Sequence, residues 1–166
     1  MSFVLLPDLI LDSVTDLTAE QLNKMDICLL MLDFDNTIVP YTTCEPTEKM
    51  QTWLKGMAAS GIQLCVVSNS KNSRVEEFCS RYGLDCITHA RKPFSDGIRR
   101  CLAQYSVSAK RAALVGDQIY TDTLGANCVG VKSILVKAIH NHNFWLKARH
   151  VAELPFIYAA KRRQDS

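Results

Sequence analysis

The segment ICLLMLDFDNT, residues 27–37, carries the strongest structural signal in the chain. Its first six residues are apolar, and such a run is typical of a strand that is buried on both faces of a parallel sheet. Asp33 and Asp35 follow the run directly. Ligands of open parallel sheets bind outside the carboxyl ends of the strands. This pattern therefore predicts a ligand-binding site at the edge of the sheet where Asp33 lies.

Further short apolar runs alternate with stretches in which apolar residues recur at helical spacing. The predicted later strands are 62–67, 86–88, 112–115 and 131–136. Pro46 is expected in the first turn of the helix that Gly61 ends, and Ser73 with Glu76 is expected to form a capping box for the next helix. The alternation predicts an α/β, Rossmann-like three-layer fold with a mainly parallel sheet.

The length of 166 residues predicts one domain, residues 1–166. Within it we expect a helical lead-in at 1–25, a motif-bearing core at 27–136 and a C-terminal helical segment at 137–166. No repeat or internal linker interrupts this order.

Composition and charge exclude several classes of protein. The formal net charge of +2 gives no reason to expect a nucleic-acid partner. The seven cysteines are odd in number and no two are separated by two residues, which argues against a disulfide framework or a zinc knuckle. The amino terminus lacks the basic start of a signal peptide, and no apolar stretch approaches the ~20 residues of a membrane span. We therefore expect a soluble cytoplasmic protein.

Polar residues follow four of the predicted strands. They are Asp33 and Asp35, Ser68 and Asn69, Lys92, and Asp117 with Asp122. Carboxylate oxygens suit Mg²⁺, and equally Mn²⁺, while a hydroxyl and an ammonium suit the oxygens of a transferring phosphoryl group. Two aspartates one residue apart can divide the work between nucleophilic attack and proton transfer.

These motifs resemble those of the haloacid dehalogenase (HAD) phosphatase superfamily. Leu29–Thr37 fits the pattern of four apolar residues followed by DxDxT, Ser68 and Lys92 follow in order, and GDQIYTD at 116–122 fits the acidic fourth motif. The resemblance covers about residues 27–136. The last motif, the small size and the lead-in are most similar to subclass IIIA, in particular to YqeG-like phosphatases, which are related to phosphatidylglycerophosphate phosphatases.

The resemblance implies a role for each of these residues. Asp33 would be the nucleophile that forms an aspartyl-phosphate, and Asp35 the general acid and later the general base. Ser68 and Lys92 would bind the phosphoryl oxygens, and Asn69 would be a further phosphate or loop contact.

The resemblance also implies a bound Mg²⁺. Its ligands would be the carboxylates of Asp33 and Asp117 and the main-chain carbonyl of Asp35. Asp122 would not bind the metal directly but would orient either the metal-bound waters or Lys92.

Other interpretations of the same residues remain open. A receiver domain also gathers an aspartate, a hydroxyl and a lysine around Mg²⁺, but it does not predict the pattern DxDxT. A regulatory or interaction module on a HAD scaffold, with little or no turnover, is the main alternative to a phosphatase. A phosphotransferase with an acceptor other than water is a third.

The spacing of the motifs bears on the substrate. Asp33 precedes Ser68 by 35 positions and Ser68 precedes Lys92 by 24, and each interval is largely used by one helix and one strand. Neither interval can hold a cap domain. An open site admits a macromolecule or a lipid headgroup such as that of phosphatidylglycerophosphate, or takes its lid from a second copy of the chain.

The C-terminal segment mixes aromatic and basic residues. They include Phe144, Trp145, Leu146, Phe156, Lys147, Arg149, Lys161, Arg162 and Arg163. The simpler interpretation is a terminal helix that packs its aromatic residues on the sheet, and the alternative is peripheral membrane contact. His140 and His142 are interpreted as solvated loop residues rather than metal ligands, because no suitable partners lie near them in sequence.

Overall fold

The computed structural model describes residues 4–71, 73–139 and 144–164, without the side chains of 144–150. The strands in these residues are β1 (Leu9–Leu11), β2 (Leu29–Leu32), β3 (Gln63–Val67), β4 (Asp85–Ile87), β5 (Ala112–Gly116) and β6 (Lys132–Val136). The helices are α1 (Ala19–Lys24), α2 (Glu48–Ala59), α3 (Ser73–Tyr82), α4 (Asp96–Tyr105), α5 (Leu124–Val129) and α6 (Phe144–Gln164).

All six strands belong to one parallel sheet, in the order β1-β6-β5-β2-β3-β4. From β2 the chain moves outward through β3 and β4, then crosses back to β5 on the other side of β2. This reversal between β2 and β5 is the kind of point at which parallel sheets form a ligand crevice. The predicted α/β fold with a parallel sheet is confirmed, and the described residues contain no cap domain.

Helices cover both faces of the sheet. Leu30 and Leu32 of β2 face a core cluster that includes residues of α1, α2 and α3. Leu29 and Met31 face the opposite cluster, which includes residues of α4 and α5. Because side chains alternate along a strand, burial on both faces requires the unbroken apolar run seen in β2.

Two predicted helix starts are wrong in detail. Pro46 lies before α2 rather than in its first turn, since Thr47 caps the helix by accepting a hydrogen bond from Met50 N at 3.2 Å. Ser73 is the first residue of α3 rather than its cap, and the residue before it lies outside the described residues. Short polar residues favour both the cap and the first turn, so composition alone does not choose between adjacent positions.

The prediction of a helical lead-in at 1–25 is wrong in part. The described residues of this segment contain β1, a 3₁₀ turn at Val14–Asp16 and only then α1. β1 pairs with β6 over three residues, and Asp8 continues the contact by accepting from Ser133 N at 2.9 Å. A run of three apolar residues is too short to show the alternation that identifies a strand in a sequence. This edge strand is defined by its hydrogen bonds to β6.

Helix α4 packs closely against the loop that leads from β4 to Lys92. A Cβ at Gly97 would overlap Ala90, whose carbonyl oxygen would lie only 2.7 Å away. Gly97 N also donates to that oxygen at 3.1 Å. Gly56, in the middle of α2, has open space where a Cβ would lie, with no neighbouring atom within 4 Å.

Replacing these two glycines by alanine should change the free energy of unfolding in opposite directions. Gly97→Ala should lower the free energy of unfolding by about 1–3 kcal/mol through overpacking. Gly56→Ala should raise it by about 0.5–1 kcal/mol because alanine favours the helix. Urea denaturation of both variants measures the difference, and equal effects would contradict the packing of α4 on Ala90.

Candidate active site

Asp33 is the first residue after β2, at the point where the sheet reverses. Its main-chain N–H donates to Val115 O at 2.8 Å and so extends the ladder between β2 and β5. Leu32 is level with Val66 of β3 and Val115 of β5. The residues that follow these three strands therefore emerge together at one edge.

Lys92 reaches the same edge from the loop after β4. Its Nζ lies 2.6 Å from Asp33 Oδ1 and 2.6 Å from Asp122 Oδ1, and its side chain is 1% exposed. An ammonium group in a protein interior needs such partners, because leaving it unpaired costs several kcal/mol. Lys92 thus joins the first and fourth motifs.

The pKa directions follow from this burial. Burial raises the pKa of Asp122 to about 6, with Lys92 opposing the shift and the Asp33 carboxylate adding to it. For Lys92, burial alone would lower the pKa, but the carboxylates of Asp122 and Asp33 raise it above its usual value. The two carboxylates therefore stabilise the charged form of Lys92, while Asp122 keeps its proton to a higher pH than an exposed aspartate does.

Asp117 completes an acidic cluster with Asp33 and Asp122. One carboxylate oxygen of each lies within 4.8 Å of the others, and all three residues are buried. Together with the Lys92 ammonium, these three carboxylates carry a formal charge of −2. Oxygen donors with excess negative charge in a buried cluster fit a divalent cation such as Mg²⁺.

Ser68 and Asn69 follow β3. Ser68 is buried, and its Oγ accepts a hydrogen bond from Ser70 N at 3.1 Å. The Asn69 side chain holds the main chain of Lys92 from both ends, since Lys92 N donates to Asn69 Oδ1 at 2.7 Å and Asn69 Nδ2 donates to Lys92 O at 2.9 Å. This is the loop contact predicted for Asn69, and its contact with phosphate stays a prediction.

The Asp35 side chain lies outside the acidic cluster and is held by Arg74 of α3. Arg74 Nη1 lies 2.6 Å from Asp35 Oδ1, and both side chains are about one-fifth exposed, at 21% and 23%. Burial raises the pKa of Asp35 above its usual value, and Arg74 opposes that shift. The structure therefore separates the two aspartates of the first motif into different surroundings.

Comparison with known proteins agrees with this geometry. A model of the haloacid dehalogenase-like hydrolases matches residues 12–136. The chain belongs to this family. The predicted superfamily and the prediction of a hydrolase are thereby confirmed.

Individual proteins similar to this HAD-like hydrolase cover 80–95% of the chain. The chain is 29% identical over 159 residues to the probable phosphatase YqeG of Bacillus subtilis (strain 168), which covers 95% of the chain and 92% of the relative. Its fold is shared with a cobalt-bound deoxy-D-mannose-octulosonate 8-phosphate phosphatase from Haemophilus influenzae, with a TM-score of 0.55, 13% identity and coverage of 82% and 91%. An uncharacterised protein from Listeria monocytogenes serotype 4b gives a TM-score of 0.58 at 15% identity, with coverage of 80% and 99%.

Sequence reasoning missed Arg74. A cation in the first turn of a helix is unfavourable, because the amino-terminal end of the helix dipole is positive. Arg74 is the second residue of α3. That placement was a signal for a specific anionic partner, which the structure shows to be Asp35.

Two further residues support Asp122: Gly116, which the fourth motif already contained but without a role, and Glu153, which sequence reasoning missed. A Cβ at Gly116 would overlap the Asp122 carboxylate, so only glycine allows that close approach. Glu153 of α6 is buried, and its Oε1 accepts from Ile119 N at 3.1 Å. Ile119 begins the single π-helical turn, Ile119–Thr123, on which Asp122 lies.

The C-terminal predictions are only partly covered by the described residues. Phe156 packs on Tyr120 with ring centroids 6.4 Å apart, which agrees with a helix docked on the domain, while Lys161, Arg162 and Arg163 are exposed. The side chains of Phe144, Trp145, Leu146, Lys147 and Arg149, together with His140 and His142, lie outside the described residues.

Removing the Lys92 ammonium should destabilise the fold strongly. Lys92→Met leaves the Asp33 and Asp122 carboxylates buried beside each other, and should lower the free energy of unfolding at pH 7 by about 3–5 kcal/mol. Urea denaturation in the presence of a chelator measures this loss.

Lys132→Met is the matched control. It removes a half-exposed ion pair with Asp8, whose atoms lie 3.2 Å apart, and should cost less than about 1 kcal/mol. If the two variants were equally stable, the charges around Lys92 would not constrain the fold.

Proposed function

We propose that the protein is a Mg²⁺-dependent phosphomonoester hydrolase that acts through an aspartyl-phosphate on Asp33. The observation that carries the proposal is the buried Lys92 ammonium, 2.6 Å from both Asp33 and Asp122, at the edge where the sheet reverses. A cation so placed can stabilise the charge of a phosphoryl group on Asp33. The similarity to a probable phosphatase over 95% of the chain supports the same reaction class.

In the first step, a carboxylate oxygen of Asp33 attacks the phosphorus atom and the bond between phosphorus and the ester oxygen breaks. The leaving oxygen takes a proton from the Asp35 carboxyl group and departs as an alcohol. The raised pKa of Asp35 suits a group that must carry this proton.

In the second step, water attacks the phosphorus atom of the phosphorylated Asp33. The Asp35 carboxylate accepts a proton from that water, and the bond between phosphorus and the Asp33 oxygen breaks. Inorganic phosphate leaves, and both aspartates return to their starting states.

The remaining residues have supporting roles in this proposal. Ser68 and Lys92 bind the phosphoryl oxygens, and Asn69 positions Lys92 through its main chain. Asp33, Asp117 and the main-chain carbonyl of Asp35 would hold Mg²⁺, while Asp122 positions Lys92. When bound, the metal would reduce the repulsion between the carboxylate nucleophile and the phosphate anion.

Asp33→Asn should abolish hydrolysis of 4-nitrophenyl phosphate, with a loss of at least about 10³-fold, because an amide is not a competent nucleophile. Asp96→Asn, a side chain 62% exposed on α4, removes the same charge away from the site and should retain activity. Steady-state rates with Mg²⁺ and with chelator, beside circular dichroism, measure both effects.

The outcomes separate the phosphatase from an interaction module. Turnover that needs Mg²⁺ and is lost only in Asp33→Asn supports the phosphatase. Equal turnover in wild type and Asp33→Asn would overturn the proposed nucleophile. A wild type without turnover, and without a beryllofluoride adduct on Asp33, would favour a regulatory module.

For the substrate, we propose phosphatidylglycerophosphate or another bulky phosphate ester, with peripheral contact to the membrane. The loops that carry the site also expose aromatic side chains, since Tyr41 is 66% exposed and Phe94, two residues after Lys92, is 74% exposed. Such rings suit an amphiphilic substrate.

No helix among the described residues is long and apolar enough to cross a bilayer. The seven free cysteines support a cytoplasmic location.

Phe94→Ser should lower the rate on phosphatidylglycerophosphate in vesicles several-fold and leave the rate on soluble glycerol phosphate unchanged. Phosphate release from each substrate measures the two rates. Absence of lipid hydrolysis by a wild type that hydrolyses the soluble ester well would contradict the lipid substrate.

A further inference from the structure

Arg74 connects helix α3 to the loop that follows the first motif. Besides its contact with Asp35, Arg74 Nη2 donates to the carbonyl oxygens of Pro40, at 3.0 Å, and Thr43. Arg74 Nε donates to Cys44 Sγ at 3.1 Å. One guanidinium group therefore binds Asp35 and three later points of the same loop.

Aromatic rings pack against the same group. The Arg74 guanidinium carbon lies 5.1 Å from the centroid of the Phe34 ring and 5.7 Å from that of Tyr41. Contacts of this kind hold a planar cation in one orientation. Phe34 is itself buried against Phe78 of α3, with ring centroids 5.1 Å apart. The position of the guanidinium is thus set by the core.

These contacts distinguish two roles for Arg74. A residue that binds an anionic substrate needs donors that point toward the substrate. All three nitrogen atoms of Arg74 donate to acceptors within the chain. The arrangement fits an internal support for Asp35 better than a receptor for substrate phosphate.

We propose that Arg74 is a positioning residue that sets the orientation of Asp35 for proton transfer to the leaving group. Arg74 binds Oδ1 of Asp35, so the proton is carried by Oδ2 and delivered from a fixed direction. This inference rests on the proposed phosphatase function. It adds a residue of α3 to the machinery that the four motifs supply.

The leaving group provides the test. An alkyl phosphate needs a proton on its departing oxygen, whereas 2,4-dinitrophenyl phosphate releases a stable anion without one. The ratio kcat/KM reports the steps up to release of the alcohol, and therefore excludes the later attack by water. The two substrates should be compared in wild type, Arg74→Met and Arg74→Lys.

Arg74→Met should lower kcat/KM for glycerol phosphate by about 10²-fold, the lower part of the range for general acid catalysis, and that for the dinitrophenyl ester by less than about threefold. Arg74→Lys keeps the charge but loses the planar fork, so its loss should be intermediate and again confined to the alkyl ester. It also keeps the test available if Arg74→Met fails to fold, as judged by circular dichroism.

Arg81→Met is the matched control. Arg81 also lies on α3 and contacts the same loop, through Glu45 Oε1 at 2.6 Å, but both side chains are well exposed, at 59% and 69%. This variant should leave kcat/KM for both substrates unchanged. If Arg81→Met reproduced the effect of Arg74→Met, general anchoring of the loop would explain it and the proposal would be overturned.

Two further outcomes are decisive. Equal losses on both substrates in the Arg74 variants, or no loss on either, would overturn the positioning role while leaving the phosphatase intact. A wild type that hydrolyses neither of these esters nor phosphatidylglycerophosphate in vesicles, and that forms no beryllofluoride adduct on Asp33, would overturn the proposed function, and the inference would fall with it.

Discussion

The buried ammonium of Lys92 is the constraint on which the site depends. It contacts Asp33 and Asp122, which lie 59 and 30 positions away in the chain. Each of the three charges is stable in the interior only while the others are present. The loops after β2 and β4 and the turn after β5 must therefore adopt their positions together.

Neighbouring residues make that arrangement possible. Asn69 fixes the main chain at Lys92, and Gly116 leaves room for the Asp122 carboxylate. Glu153 binds the start of the π-helical turn from α6. The support for three charges thus extends from β3 to the C-terminal helix.

The gathering of Asp33, Lys92 and Asp117 could be predicted from sequence because parallel strands end at one edge of a sheet. The apolar run before Asp33 identified the central strand because a strand that is buried on both faces is apolar throughout. β1 could not be predicted, since its three residues acquire hydrogen bonds only from β6. Arg74 could not be assigned to Asp35, since that contact depends on the path of a loop without periodicity.

The reversal of the sheet has a consequence for synthesis of the chain. Leu32 of β2 pairs with Val115 of β5, so the middle of the sheet is completed only after most residues have been translated. Until then β2 presents an apolar strand with an unpaired edge, which is a template for aggregation. In this incomplete chain Asp117 and Asp122 have not yet been made, so Asp33 has no acidic cluster to join. Nascent chains stalled before β5 should thus be the form most dependent on chaperones.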